Sequence, residues 1–273
     1  MLQSVKELRG YSIQATDGEI GKVDDVYFDD IPWVVRYLVV KTGGWLSGRK
    51  VLLSQVVLQH PDAQGRHLPV SLTKEEVKDS PDIDTDMPVY RQHEVELHDY
   101  YGWAPYWGNL TSPANVVPPI PVPFQPTREG TVAPPPAVDA GMHRQTPAPQ
   151  KTEVPAAQRD QHLRSMNEVS GYHIRARDGD LGHVETFIVE DKNWAVIYLV
   201  ADTGNWLPGK KVLLSVDWVK SIDWSERDVE VDLLQKNIKD SPEYDPDAPL
   251  NRAYETALHE HYGRSPYWES GDT

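Results

Sequence analysis

Asp17-Gly18-Glu19-Ile20-Gly21-Lys22-Val23 returns as Asp178-Gly179-Asp180-Leu181-Gly182-His183-Val184, each residue 161 places further on (178 − 17 = 161). The offset holds without a slip from Gly10 and Gly171 to Trp107 and Trp268. Along the way Trp33 returns as Trp194, Tyr37-Leu38-Val39 as Tyr198-Leu199-Val200, and Lys50-Val51-Leu52-Leu53-Ser54 as Lys211-Val212-Leu213-Leu214-Ser215. Solenoid repeats run about 20–50 residues, so a period this long marks a duplicated domain.

Inside the first copy the pattern is β. Residues 11–15 alternate in polarity, Asp17-Gly18 is a tight-turn signal, and 21–28 resumes an extended run, which predicts a hairpin. The β-branched and aromatic run 33–41, the break at Thr42-Gly43-Gly44 and the run 49–53 predict a second hairpin. Shorter strands are expected at 56–58 and 67–70. Thr73 three residues before Glu76 forms a capping-box signature for a short helix, and the helical reading persists at 233–236 in the second copy. Five or six short strands in about 70 residues leave exposed edges, which closure into a small barrel removes.

The chain has 273 residues, room for two domains of about 110 residues each. We divide it into a first domain with its tail (1–109), a connector (110–161) and a second domain with its tail (162–273). The connector loses all hydrophobic periodicity and holds about half of the chain's 23 prolines, the composition of an extended proline-rich linker. The N-terminus lacks the apolar core of a signal peptide, and no stretch approaches the ~20 apolar residues of a membrane span, so a cytoplasmic protein is expected. A net charge of −15 without a basic patch disfavours nucleic acid and acidic lipid. Cysteine is absent, which excludes disulfides, thiolate metal sites and a cysteine nucleophile.

Gly10-Tyr11, Asp17-Gly18-Glu19-Ile20-Gly21-Lys22-Val23, the acidic end Asp29-Asp30, Trp33-Val34-Val35-Arg36-Tyr37-Leu38-Val39-Val40 and Lys50-Val51-Leu52-Leu53 together resemble the PRC-barrel family. That family includes the cytoplasmic part of the photosynthetic reaction centre H subunit and the C-terminal half of a ribosome maturation factor. The resemblance covers about 3–80 and again 164–241, and the tandem arrangement is similar to standalone bacterial members. It implies a mainly β fold of two small PRC-type, SH3-like barrels, each used as a protein-docking module. The residues read here match neither the membrane helix of the H subunit nor the RNA-processing domain that precedes the ribosomal barrel, so neither parent function is expected to transfer.

The repeat outruns the barrel. Ser80-Pro81, Arg91, Glu94, Leu97-His98, Tyr101-Gly102 and Pro105-Tyr106-Trp107 return as Ser241-Pro242, Arg252, Glu255, Leu258-His259, Tyr262-Gly263 and Pro266-Tyr267-Trp268. Residues 89–101 are expected to form a helix capped by Gly102. Tyrosine and tryptophan dominate interface hot spots, which makes Trp103, Tyr106, Trp107, Tyr262, Tyr267 and Trp268 candidate partner-binding residues. The competing reading folds each tail back to close its own barrel. Asp17, Gly18, Gly21, Asp178, Gly179 and Gly182 are assigned to turns.

No catalytic, cofactor-binding or metal-ligating residues are assigned. The acidic run 82–86 fails as a calcium loop, because the sixth and twelfth places hold Met87 and His93 instead of glycine and glutamate. His259 and His261 point to different sides of a helix, and His98 and His259 read as packing or capping residues. No phosphate loop, dinucleotide fingerprint or nucleophile elbow occurs. A non-enzymatic assembly module is therefore the leading expectation, whose partner is another protein or the chain itself, through barrel pairing or a homo-oligomer. The alternatives are a ribosome- or RNA-associated accessory factor and a metal- or small-ligand-binding stress protein.

Overall fold

The computed structural model describes residues 1–81, 89, 91–107, 162–204 and 210–269, with backbone alone at 91 and 92. The proline-rich connector 110–161 and the acidic run 82–86 lie outside the described residues. The first half comprises β1 (Leu2–Ser4), α1 (Val5–Leu8), β2 (Ser12–Ala15), β3 (Gly18–Asp29), β4 (Val34–Thr42), β5 (Lys50–Ser54), β6 (His67–Pro69), α2 (Lys74–Lys78) and α3 (Arg91–Tyr101). The second comprises β7 (Leu163–Ser165), α4 (Met166–Val169), β8 (His173–Ala176), β9 (Gly179–Glu190), β10 (Val196–Asp202), β11 (Lys211–Ser215), β12 (Val219–Asp223), β13 (Asp228–Val231), α5 (Gln235–Lys239) and α6 (Arg252–Tyr262). Among the described residues no helix is long and apolar enough to cross a membrane.

The strands form two sheets. One runs β5-β4-β3-β2-β6 and the other β11-β10-β9-β8-β13-β12. Pairing is antiparallel except where β6 joins β2 and β13 joins β8 in parallel. The two ends of the second sheet, β11 and β12, follow one another in the chain across a one-turn 3-10 helix, Val216–Trp218. In the first half the matching turn is Gln55–Val57, and Leu58 then bridges Val70 just beyond β6. Each sheet thus turns back toward its own far end. The expectation of two closed barrels is met at the level of a mainly β fold with this strand order, and no ladder joins the end strands among the described residues.

Local chemistry explains the turns. Gly21 and Gly182, expected in turns, lie instead inside β3 and β9 where the next strand crowds them: a Cβ would stand 2.2 Å from the Lys41 carbonyl oxygen at Gly21 and 2.0 Å from that of Asp202 at Gly182. Gly18 and Gly179 take positive φ, +138° and +153°, directly after the turn aspartates. Those aspartates also act at a distance, since the Asp17 carboxylate accepts from the Lys74 amide at 2.8 Å and Asp178 from Gln235 at 2.8 Å. Thr73 and Glu76 form the expected reciprocal capping box on α2. At α5 the N-cap is Leu234, which offers no side-chain cap, so Asp178 supplies the acceptor. The strand expected at 56–58 is instead the 3-10 turn, because Ser54 Oγ accepts from the Val56 amide and bends the chain.

The largest difference from expectation lies at the N-termini of the halves. β1 leaves its own half and pairs with β9, in the register Leu2↔Glu190, Gln3↔Val189, Ser4↔Ile188. β7 pairs with β3 in the register Leu163↔Asp29, Arg164↔Phe28, Ser165↔Tyr27. The hydrophobic core is correspondingly continuous from one half into the other, with Phe28 and Phe187 in contact at 5.6 Å between ring centroids. Two tryptophan corners meet at the same junction. Trp33 and Trp194 take left-handed backbone at φ +53° and +59°, and each carbonyl accepts an amide from the opposite half: Val196 onto Trp33 at 2.7 Å and Val35 onto Trp194 at 2.9 Å.

Candidate functional site

β4 is apolar on both faces, and the tail explains why. Val35, Leu38 and Val40 point into the main core, while Tyr37 and Val39 face a second cluster with Leu52, Val89, Leu97 and Leu163, against which Tyr101, Trp103 and Tyr106 pack. In α3 the buried residues Glu94, Leu97 and His98 and the half-buried Tyr101 stand at helical spacing, giving one stripe along the helix. In α6 the stripe is Glu255, Leu258, His259 and Tyr262. Gly263 closes α6 in left-handed backbone at φ +61°, and Gly102 has φ +67° after α3. Each tail therefore lies on its own half.

A polar network fastens each tail. In the second half the Tyr198 hydroxyl donates to Glu255 Oε1 at 3.0 Å and lies 3.1 Å from His259 Nε2, while the Tyr267 hydroxyl donates to the same Glu255 oxygen at 3.1 Å. In the first half Tyr37 donates to Glu94 Oε1 at 3.1 Å and lies 2.8 Å from His98 Nε2, and the Tyr106 hydroxyl also bonds Glu94. A buried carboxylate persists only when such donors replace water. Burial, followed by the neighbouring Glu255 charge, holds Tyr198 far above the ordinary phenol range and pushes Tyr267 up to about 12, so both remain neutral donors. Burial lowers His259 below its usual value, favouring the uncharged ring.

Each carboxylate has a further nitrogen partner. Arg252 reaches Glu255 Oε2 at 3.2 Å from one turn away on α6, and its guanidinium stacks over Trp268 at 3.8 Å. Glu94 Oε2 meets His162 Nε2 at 3.0 Å, and His162 comes from the opposite half, just ahead of β7. His162 also lies 3.0 Å from the Tyr106 hydroxyl, over whose ring Arg36 stacks at 3.8 Å.

The candidate partner residues all fall within or around these networks. Trp103 stacks on Tyr101 at 4.2 Å, Tyr106 binds Glu94, and Trp107 meets the His98 ring at 4.7 Å. Tyr262 packs on Trp218 at 4.5 Å, Tyr267 binds Glu255, and Trp268 meets His259 at 5.5 Å. All six are half-buried, with one part spent on the fold and the other facing solvent. Sequence reasoning missed Tyr37 and Tyr198 as the receptors of the tails, and His162 as a bridge. The available signal was the repetition of Tyr37, Glu94 and Tyr106 at one offset; His162 repeats nothing.

The titratable groups of the networks are turned onto each other, and among the described residues no group of three or more histidine, aspartate or glutamate side chains is placed to hold a metal ion. A cleft opens elsewhere, at the junction of the halves, lined by Asp30, Ile31, Trp33, Lys220, Ile222 and Trp224 among others. Its polar groups are already engaged in part, since Arg164 pairs with Asp30 at 3.1 Å and stacks over Trp224 at 3.9 Å.

Comparison with known families places a PRC-barrel domain at residues 3–77. That span begins at β1 and ends within α2. No curated protein matches the chain significantly.

Proposed function

We propose that the chain is a non-enzymatic protein-assembly module built from two PRC-type barrels, the second within residues 162–273, working in the cytoplasm. The observation that carries this reading is that the same repeated polar residues fasten each tail to its own sheet. Glu94 with Tyr37, His98 and Tyr106, and Glu255 with Tyr198, His259 and Tyr267, lock helix to sheet. What each tail offers outward is half-buried aromatic surface, an amphipathic surface suited to an interface core. The matched PRC-barrel domain supports the same reading. The binding surface is the outer side of Trp103, Tyr106 and Trp107 on one half and of Tyr262, Tyr267 and Trp268 on the other.

The test replaces one tryptophan of each tail, Trp107→Ala with Trp268→Ala. The double variant is expected to lose the proteins that co-purify with the native chain, or its self-association, by at least tenfold in affinity, while circular dichroism stays native. Retention of every partner and of the native oligomeric state by the folded variant rules the surface out.

A further inference from the structure

The backbone hydrogen bonds that join the halves are reciprocal. The β1 register on β9 and the β7 register on β3 superpose at the repeat offset, Leu2↔Glu190 against Leu163↔Asp29. The Val35 amide bonds the Trp194 carbonyl and Val196 bonds Trp33. The Asp30 amide bonds the His162 carbonyl at 3.1 Å, and Asp191 bonds Met1 at 3.0 Å. At the helix entries the Lys6 amide donates to Thr186 Oγ1 at 3.1 Å, and the Asn167 amide to Asp25 Oδ1 at 3.2 Å. This is the pattern of an isologous two-fold interface, in which one patch meets its own counterpart and the assembly closes at two.

We propose that each half carries a docking site whose ligand is another half of the same fold, and that within the chain this site is filled by the chain's own second half. The site is the free edge of β3 or β9 beyond its hairpin partner, together with the adjoining left-handed tryptophan corner. The ligand is a three-residue N-terminal strand leading into a one-turn helix, with a matching corner of its own. All the reciprocal hydrogen bonds fall within 1–35 and 162–196. The connector then acts as a tether, holding the second half at a local concentration on the order of millimolar. The proposal concerns how the halves hold each other and stands whether or not the tails bind a partner.

The experiment uses the full chain with a specific protease sequence placed between residues 128 and 140, cut after folding. The two fragments are expected to elute together at the mass of the uncut protein at 1 µM, on the order of a thousandfold below the tethered concentration. Their melting temperature becomes dependent on concentration once the tether is cut. Thr186→Val, which removes the acceptor of the Lys6 amide while keeping side-chain shape, is expected to weaken the cut pair several-fold and leave the uncut chain folded. Fragments that separate at 1 µM, folded or unfolded, overturn the proposal, as does a cut pair whose melting ignores dilution.

Discussion

At the scale of single residues, the repeated histidine shows how burial sets a charge state. His259 sits under Trp268 and beside Trp218 with its Nε2 against the Tyr198 hydroxyl, and desolvation lowers its pKa from the usual 6.5. The unfolded chain then takes up the proton first as the solution acidifies. The stability tied to this ring is complete above pH 6.5 and is lost as the pH falls from there toward the lowered folded value. Thermal melting between pH 7 and 5 is therefore expected to fall more steeply for the native chain than for His259→Gln; equal slopes contradict the assignment. The histidine was legible in the sequence as a repeated packing residue. Its tyrosine partner was not, because residues 61 positions apart meet only when helix lies on sheet.

At the scale of elements, the hairpins depend on glycine where two strands crowd. Gly182 combines a positive φ of +147° with a carbonyl oxygen 2.0 Å from any added Cβ, so Gly182→Ala strains the backbone and forces β9 from β10 together. A loss of about 2–4 kcal/mol is expected, against roughly 0.5 kcal/mol or less for Gly44→Ala, where a Cβ meets nothing within 4 Å. Chemical denaturation of the two variants checks this, and similar losses reject it. Most elements were readable here: both hairpins, the Thr73 and Glu76 capping box, and the tail helix with its terminal glycine follow from periodicity and turn chemistry. The exceptions have local causes. Residues 55–57 carry strand-like side chains, yet the Ser54 hydroxyl captures an amide and turns the chain. β1 and β7 are three residues long, too short for any alternation to register.

At the scale of the whole molecule, the two halves share one core. Phe187 packs against Phe28 and lies in the cluster that spans both sheets, so Phe187→Ala should remove about 3–5 kcal/mol from a single cooperative unit. Calorimetry is expected to show one transition shifted to lower temperature; two separated transitions, only one of them shifted, contradict a shared core. The residue pattern was enough to show that positions 10–107 recur at 171–268, that both stretches favour β structure with a helical aromatic tail, and that the stretch between them is compositionally apart. The tertiary structure alone decided that each half lends its first strand to the other, that Tyr37 and Tyr198 receive the tails, and that His162 crosses to Glu94. The reason lies in what sequence patterns encode. Periodicity records which side of an element seeks burial, whereas the amides and carbonyls of a strand edge are alike in every residue but proline. Which edge they join is settled only when the folded halves compete to cover their remaining apolar surface and unpaired backbone.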